Sequence, residues 1–240
     1  MKNWQKLGLL SLIVIAIVGI RVYFIWRERN APLVQKPQVA QRKLSADDIV
    51  QPRKLYIDDL GSARELDGKT VWVQAGYELD YYPYADHRID FTHRVGVLPG
   101  AVPLKIEDVI TERTPPSIHS RIPLGDHQVF AIFELPNDDK EYATAIGYIQ
   151  GNDSKYYCDD IFYYDDPRQM YKHWPPDIWQ AVDQHQPKAG MNELQVAMAL
   201  GVIQQSDSSD YGNRTVHYDT GDKKWAVTFQ NDKATTVKQE

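Results

Sequence analysis

The chain has 240 residues, of which 42% are hydrophobic and 25% are charged, so it has the composition of a globular protein and room for one large domain or two small ones. The formal net charge of −6 argues against a nucleic-acid-binding protein, because binding a polyanion requires a basic face. Cys158 is the single cysteine, which excludes an intramolecular disulfide and a multi-cysteine metal site.

The first predicted element is an almost wholly apolar segment, residues 7–26. It begins at Leu7, continues through Ile20 and ends at Trp26, an aromatic residue suited to the membrane interface. A helix needs about 20 such residues to cross a bilayer. The alternative is a cleaved signal peptide, but bulky and basic residues follow where a small-residue cleavage site would stand. We therefore predict a transmembrane anchor over residues 1–29.

Residues 30–54 contain prolines and glutamines without a periodic apolar pattern, which predicts a linker, with one helical turn from Ser45. Residues 55–168 form several short apolar runs bounded by turn residues, which predicts a β-rich, barrel-like domain. A brief helical turn is expected near residues 106–109. The strand-like segment 66–73 resembles the opening strand of oligonucleotide/oligosaccharide-binding (OB) barrels.

The C-terminal region, residues 169–240, has the clearest local signals. A short helix is expected after Pro175 and Pro176. A second helix is expected between Asn192, with Gln195 as its capping-box partner, and Gly201. A mobile loop over residues 204–212 and three strands over residues 214–218, 224–229 and 234–238 complete the region. The overall prediction is an α+β chain that ends in two helices packed on a three-stranded antiparallel meander.

This order of elements resembles the BamE family, also called SmpA/OmlA, whose members are accessory proteins of outer-membrane β-barrel assembly. The resemblance covers about the last 65 residues, and the residues that carry it are Gly190, Met191, Val196, Leu200, Gly201, Tyr218, Val227, Phe229, Asn231, Asp232 and Lys233. Family members are typically short lipoproteins, whereas this chain lacks a lipid-accepting cysteine near its predicted anchor and has a β-rich region in front. The resemblance implies a non-catalytic interaction module of the cell envelope.

The best candidate for a metal site is the stretch that contains Asp86, His87, Asp90 and His93. Carboxylates and imidazoles are the ligands that zinc and similar ions prefer. On a helix their spacing would bring them to one face, whereas Pro83 and the surrounding tyrosines favour a strand or loop, where they diverge. We expect a tyrosine-rich hairpin without metal, and no cofactor.

Tyrosines also accompany the acidic residues of the segment 156–166. Together they suit a binding rim for a cationic or sugar-like ligand, for which the candidates are Tyr81, Tyr82, Tyr84, Tyr163 and Tyr164. Cys158 would need a histidine base to act as a nucleophile, and no local motif supplies one, so a buried thiol is the favoured interpretation.

These patterns predict a non-catalytic, single-pass envelope protein of the bacterial inner membrane that binds a protein partner. The positive charges around residues 7–26 favour a cytoplasmic body, whereas the BamE resemblance favours a periplasmic one, which we expect. The alternative function is a membrane-tethered metal-dependent enzyme that uses Asp86, His87, Asp90 and His93. A glycan-binding OB barrel is a third hypothesis.

Overall fold

The structure is a computed structural model, and it describes residues 16, 18–27, 45–77, 79–201, 203–220 and 223–240. The chain divides into two compact units, Met1–Leu44 and Ser45–Glu240. Within the described part, strands account for 35% of the residues and helices for 21%. The predicted α+β class is therefore wrong, and the chain is mainly β.

In the first unit, residue 16 and residues 18–27 are helical. Their large apolar side chains are about half exposed, from Ile25 at 46% to Trp26 at 62%. No helix among the described residues is both long enough and apolar enough to span a bilayer. The predicted transmembrane helix, which contains Ile20 and Trp26, is corrected accordingly, and its predicted start at Leu7 lies outside the described residues.

The segment 45–54, predicted as the end of a linker, belongs to the second unit. A 3-10 helix spans Asp47–Ile49, which confirms the predicted turn. The Asp47 carboxylate accepts hydrogen bonds from His173 Nε2 (2.5 Å), Trp174 Nε1 (2.7 Å) and the side-chain amide of Asn192. This described part of the predicted linker is thus fixed to the C-terminal region, while residues 30–44 lie outside the described residues.

Among the described residues of the second unit, nine antiparallel strands form the larger sheet. They are β1 Thr70–Val73, β2 Leu79–Ala85, β3 Arg88–Ile89, β4 Gly96–Leu98, β5 Pro103–Glu112, β6 His127–Glu134, β7 Glu141–Gln150, β8 Asp153–Tyr156 and β9 Phe162–Tyr163. Three short helices accompany them: α1 Leu60–Arg64, α2 Cys158–Ile161 and α3 Pro167–Met170.

The strand order is β3-β2-β7-β6-β5-β1-β9, with β4 also paired to β2 and β8 to β7. Across the described strands, the two ends of this path, β3 and β9, are not paired with each other, so the sheet is open. The predicted barrel-like domain is corrected to an open antiparallel sheet. The helical turn expected near residues 106–109 is also wrong, because these residues lie in β5. In this strand Leu104 and Ile106 are buried and Lys105 between them is exposed, which is the alternation typical of a strand.

Both faces of the centre of this sheet are apolar. In β6, Val129, Ala131 and Phe133 pack into the core on one face, whereas Phe130 and Ile132 pack into a separate cluster on the other. This is the two-residue period of a strand that is covered on both sides. The apolar run of β6 therefore reflects two buried faces.

The C-terminal helices are confirmed. They are α4 Pro176–Asp183 and α5 Glu193–Leu200, and α5 begins with a capping box in which the side chains of Asn192 and Gln195 each accept a hydrogen bond from the other's backbone N–H. Gly201 ends α5 with a positive φ of 87°. Because every one of these signals lies within the helix or at its ends, local sequence was sufficient to place it.

The smaller sheet has four strands in the described chain, one more than predicted. It runs β10-β11-β12-β13, comprising Ile203–Ser206, Thr215–Asp219, Lys224–Gln230 and Lys233–Gln239. The additional strand β10 includes the start of the segment predicted as a mobile loop. It pairs with β11 through Ile203 and Tyr218. Tertiary pairing thus overrides its polar composition.

A buried ion pair joins α5 to this sheet. The Glu193 side chain is 1% exposed, and it accepts hydrogen bonds from the Arg214 guanidinium, including one from Nε to Oε1 at 3.0 Å. Its other oxygen accepts from the Gly212 amide at 2.9 Å. These bonds offset the cost of burying the carboxylate.

The two sheets, predicted as separate domains over residues 55–168 and 169–240, share one apolar core. Tyr163 from β9 and Ala101 from the turn before β5 are buried in the cluster that contains Trp174 and α5. At the same turn, a Cβ atom on Gly100 would lie 2.6 Å from the carbonyl oxygen of Met198. The approach of turn and helix is so close that it requires glycine.

Candidate ligand-binding site

The second apolar face of the larger sheet carries an aromatic floor. Phe91 packs edge-on against Tyr82 and Phe130, with ring centroids 5.5 and 5.7 Å apart. Ile132 and Ala143 extend the floor along β6 and β7. Burial raises the pKa of Tyr82 above its ordinary value, with a smaller contribution from Asp80, so its hydroxyl remains neutral.

A loop, residues 113–126, lies over part of this floor, and Gln128 holds it in place. Gln128 is 1% exposed. Its Nε2 donates to the carbonyl oxygens of Ile122 (2.8 Å) and Pro123 (3.3 Å) and to Ser120 Oγ (3.1 Å). Its Oε1 accepts from Thr114 Oγ1 at 2.6 Å. One buried amide therefore binds both halves of the loop.

Between the loop and the floor lies a pocket of about 330 Å³. Its lining combines apolar side chains with a few buried polar groups and with charged groups. The lining residues are Leu79, Asp80, Tyr82, Phe91, Arg94, Val97, Thr114, Ile118, His119, Ser120, Arg121, Ile122, Gln128, Phe130, Thr144 and Ala145. A mostly apolar concavity with a few convergent polar groups is the usual form of a small-molecule site.

Charged groups stand at the exposed side of this pocket. Arg94 Nε lies 2.6 Å from Asp80 Oδ1, and the two side chains are 52% and 33% exposed. His119 and Arg121, on the loop, are also exposed. Thr144 Oγ1, fully buried, donates to the backbone oxygen of Asp80 at 3.0 Å. The pocket is therefore apolar and neutral inside, and its charged side chains lie at the exposed side, where Arg94 pairs with Asp80.

The residues proposed for a metal site do not converge. Asp86 and His87 occupy the tight turn between β2 and β3, with φ of 51° and 59°. His93 Nδ1 instead lies 2.6 Å from Asp90 Oδ2. The side chain of Thr92 and then that of His93 hydrogen-bond to Asp90 and lower its pKa to about 2. No three histidine, cysteine or acidic side chains in the described part of the chain could hold a metal ion together.

The five tyrosines proposed as a binding rim are distributed over three clusters. Tyr82 and Tyr84 belong to the cluster of the floor, whereas Tyr81 and Tyr164 belong to the core on the opposite face. Tyr163 is buried in the core shared by the two sheets. The five therefore form no common rim, because neighbouring strand residues point to opposite faces.

In the acidic segment 156–166, the Asp159 side chain stabilises the fold through hydrogen bonds to other parts of the chain. Asp159 accepts hydrogen bonds from the amides of Leu55 (2.9 Å) and Tyr56 (2.8 Å) and from the Tyr164 hydroxyl (2.8 Å). Burial raises the pKa of the Cys158 thiol to about 12, and the negative charge of Asp159 adds to this. The thiol is therefore protonated near neutral pH and is a poor nucleophile.

Sequence reasoning missed Arg94, Gln128 and Phe130 as site residues. Gln128 did carry a signal, since it is a polar residue at the start of the apolar run of β6. A buried amide needs hydrogen-bond partners, and these come from a loop that local patterns cannot place. Arg94 and Phe130 carried no such signal.

No protein-family model, characterised protein or solved structure matches this chain.

Proposed function

We propose that this chain is a non-catalytic binding protein and that it holds a small ligand in the pocket beneath residues 113–126. The observation that carries the proposal is the preformed pocket itself, with its aromatic floor and its volume of about 330 Å³. This volume falls within the range of small-molecule sites, about 300–1,000 Å³.

The non-catalytic part of the proposal is supported by the chemistry inside the pocket. The buried residues with polar groups there are Gln128, with its amide, and Tyr82, Thr114 and Thr144, with their hydroxyls. None of these groups titrates near neutral pH, so none is suited to general acid or base catalysis. The alternative metal-dependent enzyme has no favouring observation, because His87 stands apart from the bonded pair of Asp90 and His93.

We also propose, from the BamE resemblance alone, that residues 169–240 bind a protein partner in the bacterial cell envelope. Protease treatment of spheroplasts tests the location. Digestion of residues 169–240 in intact spheroplasts, or their recovery in the released periplasmic fraction, is the expected result, and protection until the cells are lysed would contradict it.

The test of the pocket is a fragment screen by ligand-observed NMR on the full chain and on Ala145→Phe, which places a ring in the pocket. Ala226→Phe is the matched control, because Ala226 is also half-buried in a strand but belongs to the smaller sheet. We expect fragments that bind the unaltered chain and Ala226→Phe but not Ala145→Phe. Binding that survives in Ala145→Phe would exclude the pocket, and turnover of a bound fragment would exclude the non-catalytic role.

A further inference from the structure

We infer that the ligand of this pocket is an uncharged ring compound, whose apolar body packs on the aromatic floor and whose polar oxygen is hydrogen-bonded to the Tyr82 hydroxyl. This inference rests on the proposed function and adds the chemical class of the ligand and the group that orients it.

The apolar body of the ligand is assigned from the floor. Tyr82 and Phe130 are buried, and Phe91 packs edge-on against both. Ile118, from the loop, packs against the same cluster. Aromatic rings favour further edge-to-face and offset contacts, and burial of apolar surface is favourable in proportion to its area. A ring is therefore the body that suits this surface best.

The volume of the pocket, about 330 Å³, limits the size of the ligand. An apolar protein cavity of about 150 Å³ is enough to bind benzene. The pocket therefore holds one ring with a short substituent. A charge on such a substituent stays close to the lining and loses part of its water, so it needs a partner there.

The buried part of the lining offers no such partner, because most of its polar groups are already hydrogen-bonded. The Gln128 amide is engaged by Thr114 and by the loop. The Thr144 hydroxyl donates to the backbone oxygen of Asp80 at 3.0 Å. An ionised group placed among them would lose its water without gaining new partners, which is strongly unfavourable.

The charged side chains at the mouth of the pocket are engaged as well. Arg94 Nε donates to Asp80 Oδ1 at 2.6 Å, so these two opposite charges offset each other. Arg121 also has an interaction partner within the chain. An ionised ligand could gain a counter-ion here only by displacing a partner, which would leave a charged side chain unpaired. The mouth therefore favours neither a carboxylate nor an ammonium group.

The Tyr82 hydroxyl remains for the ligand. Tyr82 is 6% exposed and lines the pocket, and none of the described residues forms a hydrogen bond with its hydroxyl. Burial is the largest cause of its raised pKa, and the charges of Asp80 and Arg94 also act on it, so the hydroxyl lies near that ion pair. A tyrosine hydroxyl both donates and accepts, which suits the oxygen of an alcohol or a carbonyl group.

The experiment compares four probes of similar shape: ethylbenzene, 2-phenylethanol, phenylacetate and 2-phenylethylamine. Their dissociation constants for the full chain are measured by NMR titration at pH 8, at low and at high ionic strength. We expect 2-phenylethanol to bind about tenfold more tightly than phenylacetate and 2-phenylethylamine, because both ions lose water without gaining a partner. The affinity for 2-phenylethanol should be independent of salt.

Variants test the groups responsible. Tyr82→Phe should weaken the binding of 2-phenylethanol about fivefold, the effect of one hydrogen bond, and leave that of ethylbenzene unchanged. Tyr81→Phe is the matched control, because Tyr81 is the neighbouring tyrosine of β2 but packs in the core on the opposite face, and it should leave both affinities unchanged. Asp80→Asn removes the counter-ion of Arg94 and should strengthen the binding of phenylacetate about threefold.

The outcomes separate the inference from the proposed function. Binding of phenylacetate or 2-phenylethylamine as tight as that of 2-phenylethanol, and lost in Ala145→Phe, would overturn the uncharged ligand and leave the pocket as a binding site. An unchanged affinity for 2-phenylethanol in Tyr82→Phe, or for phenylacetate in Asp80→Asn, would also overturn the inference. Failure of all four probes to bind, together with an unsuccessful fragment screen, would overturn the proposed function as well.

Discussion

Replacing Gln128 with leucine removes the hydrogen bonds that hold the loop over the pocket while keeping a side chain of similar length. Two bonds to backbone carbonyls and one to Ser120 share the two N–H groups of the amide. A net gain of about 1 kcal/mol per hydrogen bond gives a loss of about 2–3 kcal/mol for those donors.

Thr114 adds to this loss. Its hydroxyl donates to Gln128 Oε1, and the residue is 6% exposed, so leucine leaves a buried hydroxyl with one partner fewer. An unpaired buried polar group costs about 1–3 kcal/mol. The loop can open to water locally, which limits the total, and we expect the free energy of unfolding to fall by about 3 kcal/mol.

Urea unfolding followed by tryptophan fluorescence measures the change, and amide hydrogen exchange at Ile122, whose N–H donates to Ser120 Oγ, reports the loop. Gln150→Leu is the control, because the Gln150 amide makes one exposed hydrogen bond, to Asp126 at 3.2 Å. It should lose less than about 0.5 kcal/mol. If Gln128→Leu loses no more than Gln150→Leu and Ile122 keeps its protection, Gln128 does not hold the loop.

Three further predictions concern the core. Cys158 has a pKa near 12 in the folded chain against about 8.5 when unfolded, so its stabilising effect is complete below pH 8.5 and is lost as the pH rises towards 12. At pH 8.5 Ellman's reagent should label it far more slowly in the native chain than in urea, and equal rates would contradict its burial. Glu193→Ala leaves Arg214 without its buried partner and should cost about 3–5 kcal/mol in urea unfolding, whereas a loss below about 1 kcal/mol would refute the role of the pair. Gly100→Ala should lose about 1–3 kcal/mol, because its Cβ would meet the Met198 carbonyl, and an unchanged melting temperature would contradict this.

Local sequence signals predicted the C-terminal helices correctly. The prediction failed for the larger sheet, whose strands pair with strands far away in the sequence. The capping box at Asn192 and the glycine at position 201 act within a few residues of the helix they bound. In contrast, β1 lies between β5 and β9, strands that begin about 30 and 90 residues later in the chain. A barrel and an open sheet share the same alternating pattern, so the sequence alone could not choose between them.

The pocket could not have been predicted for the same reason. Its walls come from β2, the segment 90–95, β4, the loop of residues 113–126 and strands β6 and β7. The tyrosines were the more visible signal, but burial of Tyr163 and Tyr164 shows that aromatic density here reflects core packing. The apolar run at residues 7–26 had the composition of a span, whereas no helix among the residues that the structure describes is long and apolar enough to cross a bilayer.

The hydrogen bonds from His173, Trp174 and Asn192 to the Asp47 carboxylate limit how far the chain can be truncated from its N-terminal side. A fragment that starts at residue 55 would keep both sheets but would leave the Trp174 and Asn192 side chains without the carboxylate that they bind. It would also lose the bond from Arg53 to the Tyr164 carbonyl. Crystallisation or NMR work should therefore use fragments that start at or before Ser45, so that the hydrogen bonds of Asp47 and Arg53 are kept.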